Sequence, residues 1–118
     1  MDEQNLTCKM VDGIPVLRFP AYFEDRAGKA LHQMGSELFH QKHACFIFDF
    51  QFCKVLSSRG ISSLMNFAMK CLDDYRGKII MANLDQPKIQ VLTLVGAIPL
   101  ISVADSVEDG LKLLMDDS

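Results

Sequence analysis

The hydroxyl groups that could do chemistry in this chain crowd one segment, Val55-Leu-Ser-Ser-Arg-Gly-Ile-Ser-Ser-Leu-Met65. A serine hydroxyl can attack a carbonyl, accept a phosphoryl group, or accept a backbone N–H at the start of a helix. The first use needs an activating base at a recognisable spacing. The chain shows no GxSxG elbow, no glycine-rich phosphate cradle, and no Cys–His or paired-carboxylate signature. An enzyme is therefore not expected. Taken alone, a serine ahead of an apolar helix is most simply an N-cap, contributing about 1 kcal/mol. Ser57 suits that cap, Ser58 stands beside it, and Ser62 and Ser63 fall inside the helix that follows.

Other reactive groups are sparser. Asp49 ends an apolar run, and on its own residues it reads as a carboxylate that accepts loop N–H bonds. His32, His40 and His43 include one i, i+3 pair with no thiol or carboxylate at a ligand spacing, so they read as solvated and no metal is expected. No other cofactor is expected either. Cys8, Cys45, Cys53 and Cys71 form no CxxC pair, and three lie in apolar segments, which predicts reduced core thiols. The methionines from Met34 to Met115 read mostly as core filling on apolar helix faces, with a minority left for a partner groove.

These residues need elements to hold them. Residues 6–19 read as two strands around Asp12-Gly13, a hairpin dipeptide, with Pro15 restricting the second strand to an edge or a strand start. A helix over 24–41 follows from Ala27, Leu31, Met34 and Leu38 at helical spacing. Ala44–Phe50 is a nearly continuous apolar run, as in a central strand covered on both faces. From Ser57 or Ser58 to Tyr75 a second helix turns Ile61, Leu64, Met65, Ala68 and Leu72 inward. Lys78–Ala82 is a strand. Asp85 caps a short helix with Pro87 in its first turn and Gly96 at its end. Leu100–Val103 is the last strand, and Ser106 with Asp109 fits a capping box ahead of Leu111, Leu114 and Met115. The order β-β-α-β-α-β-α-β-α predicts one α/β domain over residues 1–118, with a mixed, mostly parallel sheet of about five strands and about four helices.

The segment after the central strand resembles the motif of STAS domains, the anti-sigma factor antagonist family. In that motif an apolar residue precedes Asp or Ser, then Ser or Thr, a small residue, Gly, Leu or Ile, and two apolar residues. Ser57, Ser58, Gly60, Ile61, Leu64 and Met65 occupy those places. Phe46-Ile-Phe-Asp-Phe50 resembles the family's buried strand, and Asn83-Leu-Asp85 through Leu94-Val-Gly96 its late loop and helix. The chain departs at Ser57, where many relatives carry Asp, at Arg59, where they carry a small residue, and at Gln51-Phe-Cys-Lys54.

The resemblance implies a STAS fold and a single-domain bacterial antagonist that binds an anti-sigma factor, itself a serine kinase, and so releases a sigma factor. It implies that Ser58 is phosphorylated by that partner, which ends the complex, and that Asp49, Ser57, Ser58, Arg59, Gly60 and Ser62 form the partner surface. Arg59 would either pair with the phosphate or hinder the kinase. Gly60 would let the partner's backbone come close. The alternative is a non-phosphorylated STAS subunit of a signalling scaffold or transporter-associated complex. A phosphatase and a weak homodimer through an exposed strand edge are left open.

Composition narrows the partners further. The 118 residues are 49% apolar and 23% charged, which suits one folded core. Net charge is −3, and the basic residues are scattered from Lys9 to Lys112, which argues against nucleic acid. No apolar run approaches the ~20 residues that cross a bilayer, so no membrane insertion is expected. The opening Met1-Asp-Glu-Gln-Asn5 lacks the basic patch and apolar stretch of a signal peptide, which predicts a cytoplasmic protein.

Overall fold

The computed structural model describes residues 5–98 and 101–116. Residues 1–4, on which the signal-peptide reading rests, and Leu100, expected to open the last strand, lie outside the described residues. The elements in chain order are β1 (Thr7–Val11), β2 (Ile14–Arg18), β3 (Tyr22–Phe23), α1 (Asp25–His40), β4 (Cys45–Asp49) and β5 (Val55–Leu56). They continue with α2 (Ser58–Tyr75), β6 (Lys78–Ala82), α3 (Gln86–Leu94), β7 (Ser102–Ala104) and α4 (Val107–Asp116).

The hairpin forms around Asp12 and Gly13, whose φ angles of 52° and 80° are the left-handed pair that a two-residue type I′ turn needs. Five strands make one sheet in the order β1-β2-β4-β6-β7, antiparallel between β1 and β2 and parallel elsewhere. Pro15 sits at the start of β2, and the parallel ladder to β4 begins only at Val16, so its missing N–H interrupts no pairing. β4 is the central strand. Its Phe46, Ile47 and Phe48 are fully buried because helices cover both faces.

Side-chain alternation divides the core. On one face Leu17, Phe46, Phe48, Ile79 and Met81 pack with Leu31, Leu38 and Phe39 of α1 and with Leu64, Phe67, Ala68 and Cys71 of α2. On the other, Val16, Ile47, Ile80 and Ala82 meet Leu111 and Leu114 of α4. Aromatic rings knit the first face: Phe19 lies 4.7 Å from Phe23 and 4.3 Å from Phe50, centroid to centroid, and Phe39 stacks on Tyr75 at 4.1 Å. Ser106 Oγ caps α4 by accepting from the Asp109 N–H at 3.1 Å.

Four expectations change. A second, two-stranded parallel sheet joins β3 to β5, which no periodicity announced because each strand is two residues long. The last strand runs from Ser102 to Ala104, beyond the expected Val103. The inward stripe of α2 is turned by about one residue, to Gly60, Leu64, Phe67, Ala68 and Cys71, leaving Ile61, Met65 and Leu72 half-buried. Of the cysteines, Cys53 and Cys71 are buried, but Cys45 is only half-buried and Cys8 is exposed on β1. Met34, Met65 and Met81 are buried or half-buried, while Met69 and Met115 are the exposed minority, joined by Met10 on β1.

Candidate functional site

The two-stranded sheet sets the start of α2. Val55 and Leu56 pair with Tyr22 and Phe23, which delivers the chain to Ser57 in an extended conformation, φ −76° and ψ 165°. Ser57 Oγ accepts from the Gly60 N–H at 3.0 Å and donates to the Phe23 carbonyl at 3.3 Å. The same carbonyl accepts the Ser57 N–H at 3.1 Å. Phe23 is fully buried in the aromatic cluster, so the oxygen that anchors the helix start is itself fixed by the core. Ser57 is thus a cap held on both sides.

Gly60 faces inward. A Cβ built there would meet the Phe23 carbonyl oxygen at 2.1 Å, so the close approach expected with a partner's backbone is made within the chain, between α2 and β3. Gly60 is buried and unavailable to a partner as a contact surface.

Ser58 is different in kind. It is the first residue of α2 and exposed, and its hydroxyl is free of the capping bonds that hold Ser57. Arg59 and Ser62 are exposed beside it, whereas Ser63 is half-buried against Gly28 of α1. With Asp25 and Asn66 these residues line an open depression of about 410 Å³. Its two formal charges, the Asp25 carboxylate and the Arg59 guanidinium, cancel. The first turn of α2 holds no acidic residue, so nothing on that turn offsets the positive end of the helix dipole.

Asp49 is not brought to Ser58. It is 3% exposed at the end of β4 and lines a separate depression of about 420 Å³ with Arg18, Gln51, Asn83 and Ser106. Its Oδ1 accepts from the Gln51 N–H at 3.0 Å and from Asn83 Nδ2 at 2.9 Å, and its Oδ2 faces Arg18 Nε at 3.7 Å. Of the two readings open for this residue, the geometry is that of a carboxylate satisfying a loop. It ties together the ends of β2, β4 and β6. Asn83, at φ 63°, belongs to that tie; the sequence placed it in the late loop without its bond to Asp49, for which an Asn at the end of an apolar strand was the available signal.

A third depression, about 340 Å³, lies on the other side of β5, lined by Lys54, Val55, Leu56, Asp85, Pro87, Lys88 and Val91. Asp85 caps α3, accepting from the Lys88 N–H at 2.9 Å and from Lys88 Nζ at 2.5 Å. The Lys88 side-chain bond, joined by its backbone N–H, holds the Asp85 carboxyl below the usual range. On the outer side of α3, Val91, Leu94 and Val95 are exposed, Leu94 at 86%. Among the described residues no three His, Cys, Asp or Glu side chains gather as a metal site, and no helix is long and apolar enough to cross a membrane.

Comparison with known proteins places this arrangement. Phosphorylated SpoIIAA, a Bacillus cell-fate determinant, superposes with a TM-score of 0.74 over 92% of this chain and 98% of its own, at 19% identity. This is the STAS fold. A STAS-domain anti-sigma factor antagonist protein from Planctomyces limnophilus has the same architecture, with a TM-score of 0.71, 13% identity, and 94% of this chain and 98% of its own covered. RsbS from Moorella thermoacetica matches at 0.72 and 16%, over 94% of this chain and 95% of its own. No protein-family model and no curated protein matches the sequence itself. The STAS likeness therefore rests on shape, with the hairpin, the five-stranded mixed sheet and the four helices all present.

Proposed function

We propose that this chain is an anti-sigma factor antagonist that docks on an anti-sigma factor of the serine-kinase class through the surface around Ser58, and that phosphorylation of Ser58 ends the complex. One observation carries the reading: two adjacent serines stand at the start of α2, one bound into the fold and one presented to solvent. The solved structures of similar shape include SpoIIAA in a phosphorylated form. The exposed part of the surface is Ser58, Arg59 and Ser62, while Ser57 and Gly60 shape it from beneath and Asp49 stands apart in the depression it shares with Arg18 and Asn83.

The physics of the switch is local charge. The unmodified depression is formally neutral, and a phosphate adds ~1.5–2 negative charges to it. The free N–H groups of the first turn and the dipole of α2 tolerate that charge without unfolding, so the fold stays and the neutral partner surface becomes negative. Every ~1.4 kcal/mol of lost interaction lowers affinity tenfold, which a desolvated dianion readily supplies.

A second reading, a non-phosphorylated STAS subunit of a larger assembly, draws support from the bare apolar side of α3 at Val91, Leu94 and Val95. Incubation with anti-sigma serine kinases of the source organism and ATP, followed by phosphosite mapping, separates the two. Phosphate on Ser58 that is absent from Ser58→Ala supports the switch. Stable binding to a large complex with Ser58 unmodified supports the subunit.

A further inference from the structure

We propose that Arg59 is the internal counter-ion of a phosphate on Ser58, so that the chain holds the modifying group as well as carrying it. This rests on the reading of Ser58 as the phosphate acceptor, and it concerns a position where the chain departs from the small residue of the STAS motif. Ser58 and Arg59 are the first two residues of α2, both exposed, and both line the same open depression of about 410 Å³. Among the described residues the Arg59 side chain has no ion-pair or hydrogen-bond partner, so its guanidinium gives up nothing within the chain when it takes a phosphate. The backbone beside it is open as well. The Gly60 N–H goes to Ser57 Oγ and the Ile61 N–H to the Ser57 carbonyl, which leaves the Ser58 and Arg59 N–H groups without acceptors among the described residues.

Helix geometry and charge favour the pairing. Successive residues of a helix diverge by about 100°, so a short side chain at position 59 would not meet one at position 58. Side chains lean toward the helix N-terminus, however, and the long arginine stem is thereby carried toward the turn that holds Ser58. Ser62, four residues on, leans the same way and brings a second donor. Asp25 bounds the depression from α1. Lys29 Nζ lies 3.6 Å from its Oδ2, but both groups are exposed and the carboxylate still repels an anion, which leaves a phosphate the α2 side. The helix start favours an anion whatever stands at position 59; the guanidinium adds a planar fork that can bind two phosphate oxygens at once, which an ammonium cannot. With Arg59 folded onto it, the phosphate is held against this chain and a partner meets less than the full dianion.

The test needs no kinase. Phosphoserine is placed at position 58 of the intact chain during translation, and its phosphate is titrated by phosphorus NMR at low salt in the wild type, Arg59→Gln, Arg59→Lys and Ser62→Ala. Positions 59 and 62 are exposed, so the variants keep the fold. The second ionisation of a phosphoserine lies near pH ~6. In the wild type it should fall about 0.5–1 unit below that in Arg59→Gln, with a gap that closes as salt is raised. Arg59→Lys, which keeps the charge without the fork, should recover only part of the gap, and the Arg59 Nε–H resonance should shift with the midpoint of the phosphate. Ser62→Ala should raise the midpoint by less than Arg59→Gln does. Equal midpoints in the wild type and Arg59→Gln, or a larger rise in Ser62→Ala, overturns the proposal. Failure of every anti-sigma kinase to modify Ser58 bears on the functional reading alone, because the pairing is measured on a phosphate placed there directly.

Discussion

Replacing Ser57 and Ser58 by alanine, one at a time, separates a serine that builds the fold from one that the fold presents. Ser57→Ala deletes the acceptor of the Gly60 N–H at 3.0 Å and the donor to the Phe23 carbonyl at 3.3 Å. Loss of a serine N-cap costs about 1 kcal/mol, and the second bond brings the expected loss to about 1.5–2 kcal/mol. Phe23 keeps the Ser57 N–H as a partner, so its carbonyl is not orphaned and the cost stays at that level. Ser58→Ala removes an exposed hydroxyl without those bonds and should change stability by less than about 0.5 kcal/mol. Urea unfolding followed by circular dichroism resolves that difference as a shift in midpoint at constant slope. Equal losses for the two variants, or a larger loss for Ser58→Ala, would refute the division of labour between them.

Gly60→Ala drives a methyl group into the Phe23 carbonyl and should cost about 2–3 kcal/mol; an unfolding midpoint within error of wild type would remove the packing argument. The bond to Lys88 makes Asp85 a source of acid-sensitive stability. Because its folded-state pKa is depressed, that stability is present above the unfolded value near ~3.9 and lost as pH falls through the lower folded value. Asp85→Asn, which keeps a capping side chain, should therefore lag wild type at neutral pH and converge with it in acid, and a gap that is constant with pH would contradict this. Burial, helped by neighbouring Cys45, pushes the Cys71 thiol up to about 12, and Cys71 Sγ donates to the Ala44 carbonyl. A thiol reagent at mild alkaline pH should label Cys8 in the native state and Cys71 only after unfolding; native labelling of Cys71 would contradict its burial.

Much of the fold was legible because its signals are local and repeated. The Asp12-Gly13 turn, the apolar run ending in Asp49, and the Asp85 cap with Pro87 behind it each name an element by its own chemistry. The β3–β5 ladder was not legible: two residues per strand carry no alternation, and their pairing is a contact across the chain. The phase of α2 was misjudged because apolar residues surround more than half of it, and the deciding contacts, Gly60 against Phe23 and Phe67 in the aromatic cluster, are tertiary. At the site, the serines were visible as a pair. Which one is bound could be inferred from capping rules, but that Gly60 serves the interior depends on a strand the sequence did not announce. Asp49 likewise needed Asn83 and Gln51 beside it before its role could be read.

The central claim is that charge at Ser58 breaks a complex without breaking the fold. The direct measurement is the affinity of the anti-sigma kinase for the wild type and for Ser58→Glu, by calorimetry on samples whose unfolding midpoints have been matched. The account predicts at least a tenfold weaker complex for Ser58→Glu, about 1.4 kcal/mol, with both proteins equally stable. Equal affinity for the two would contradict it.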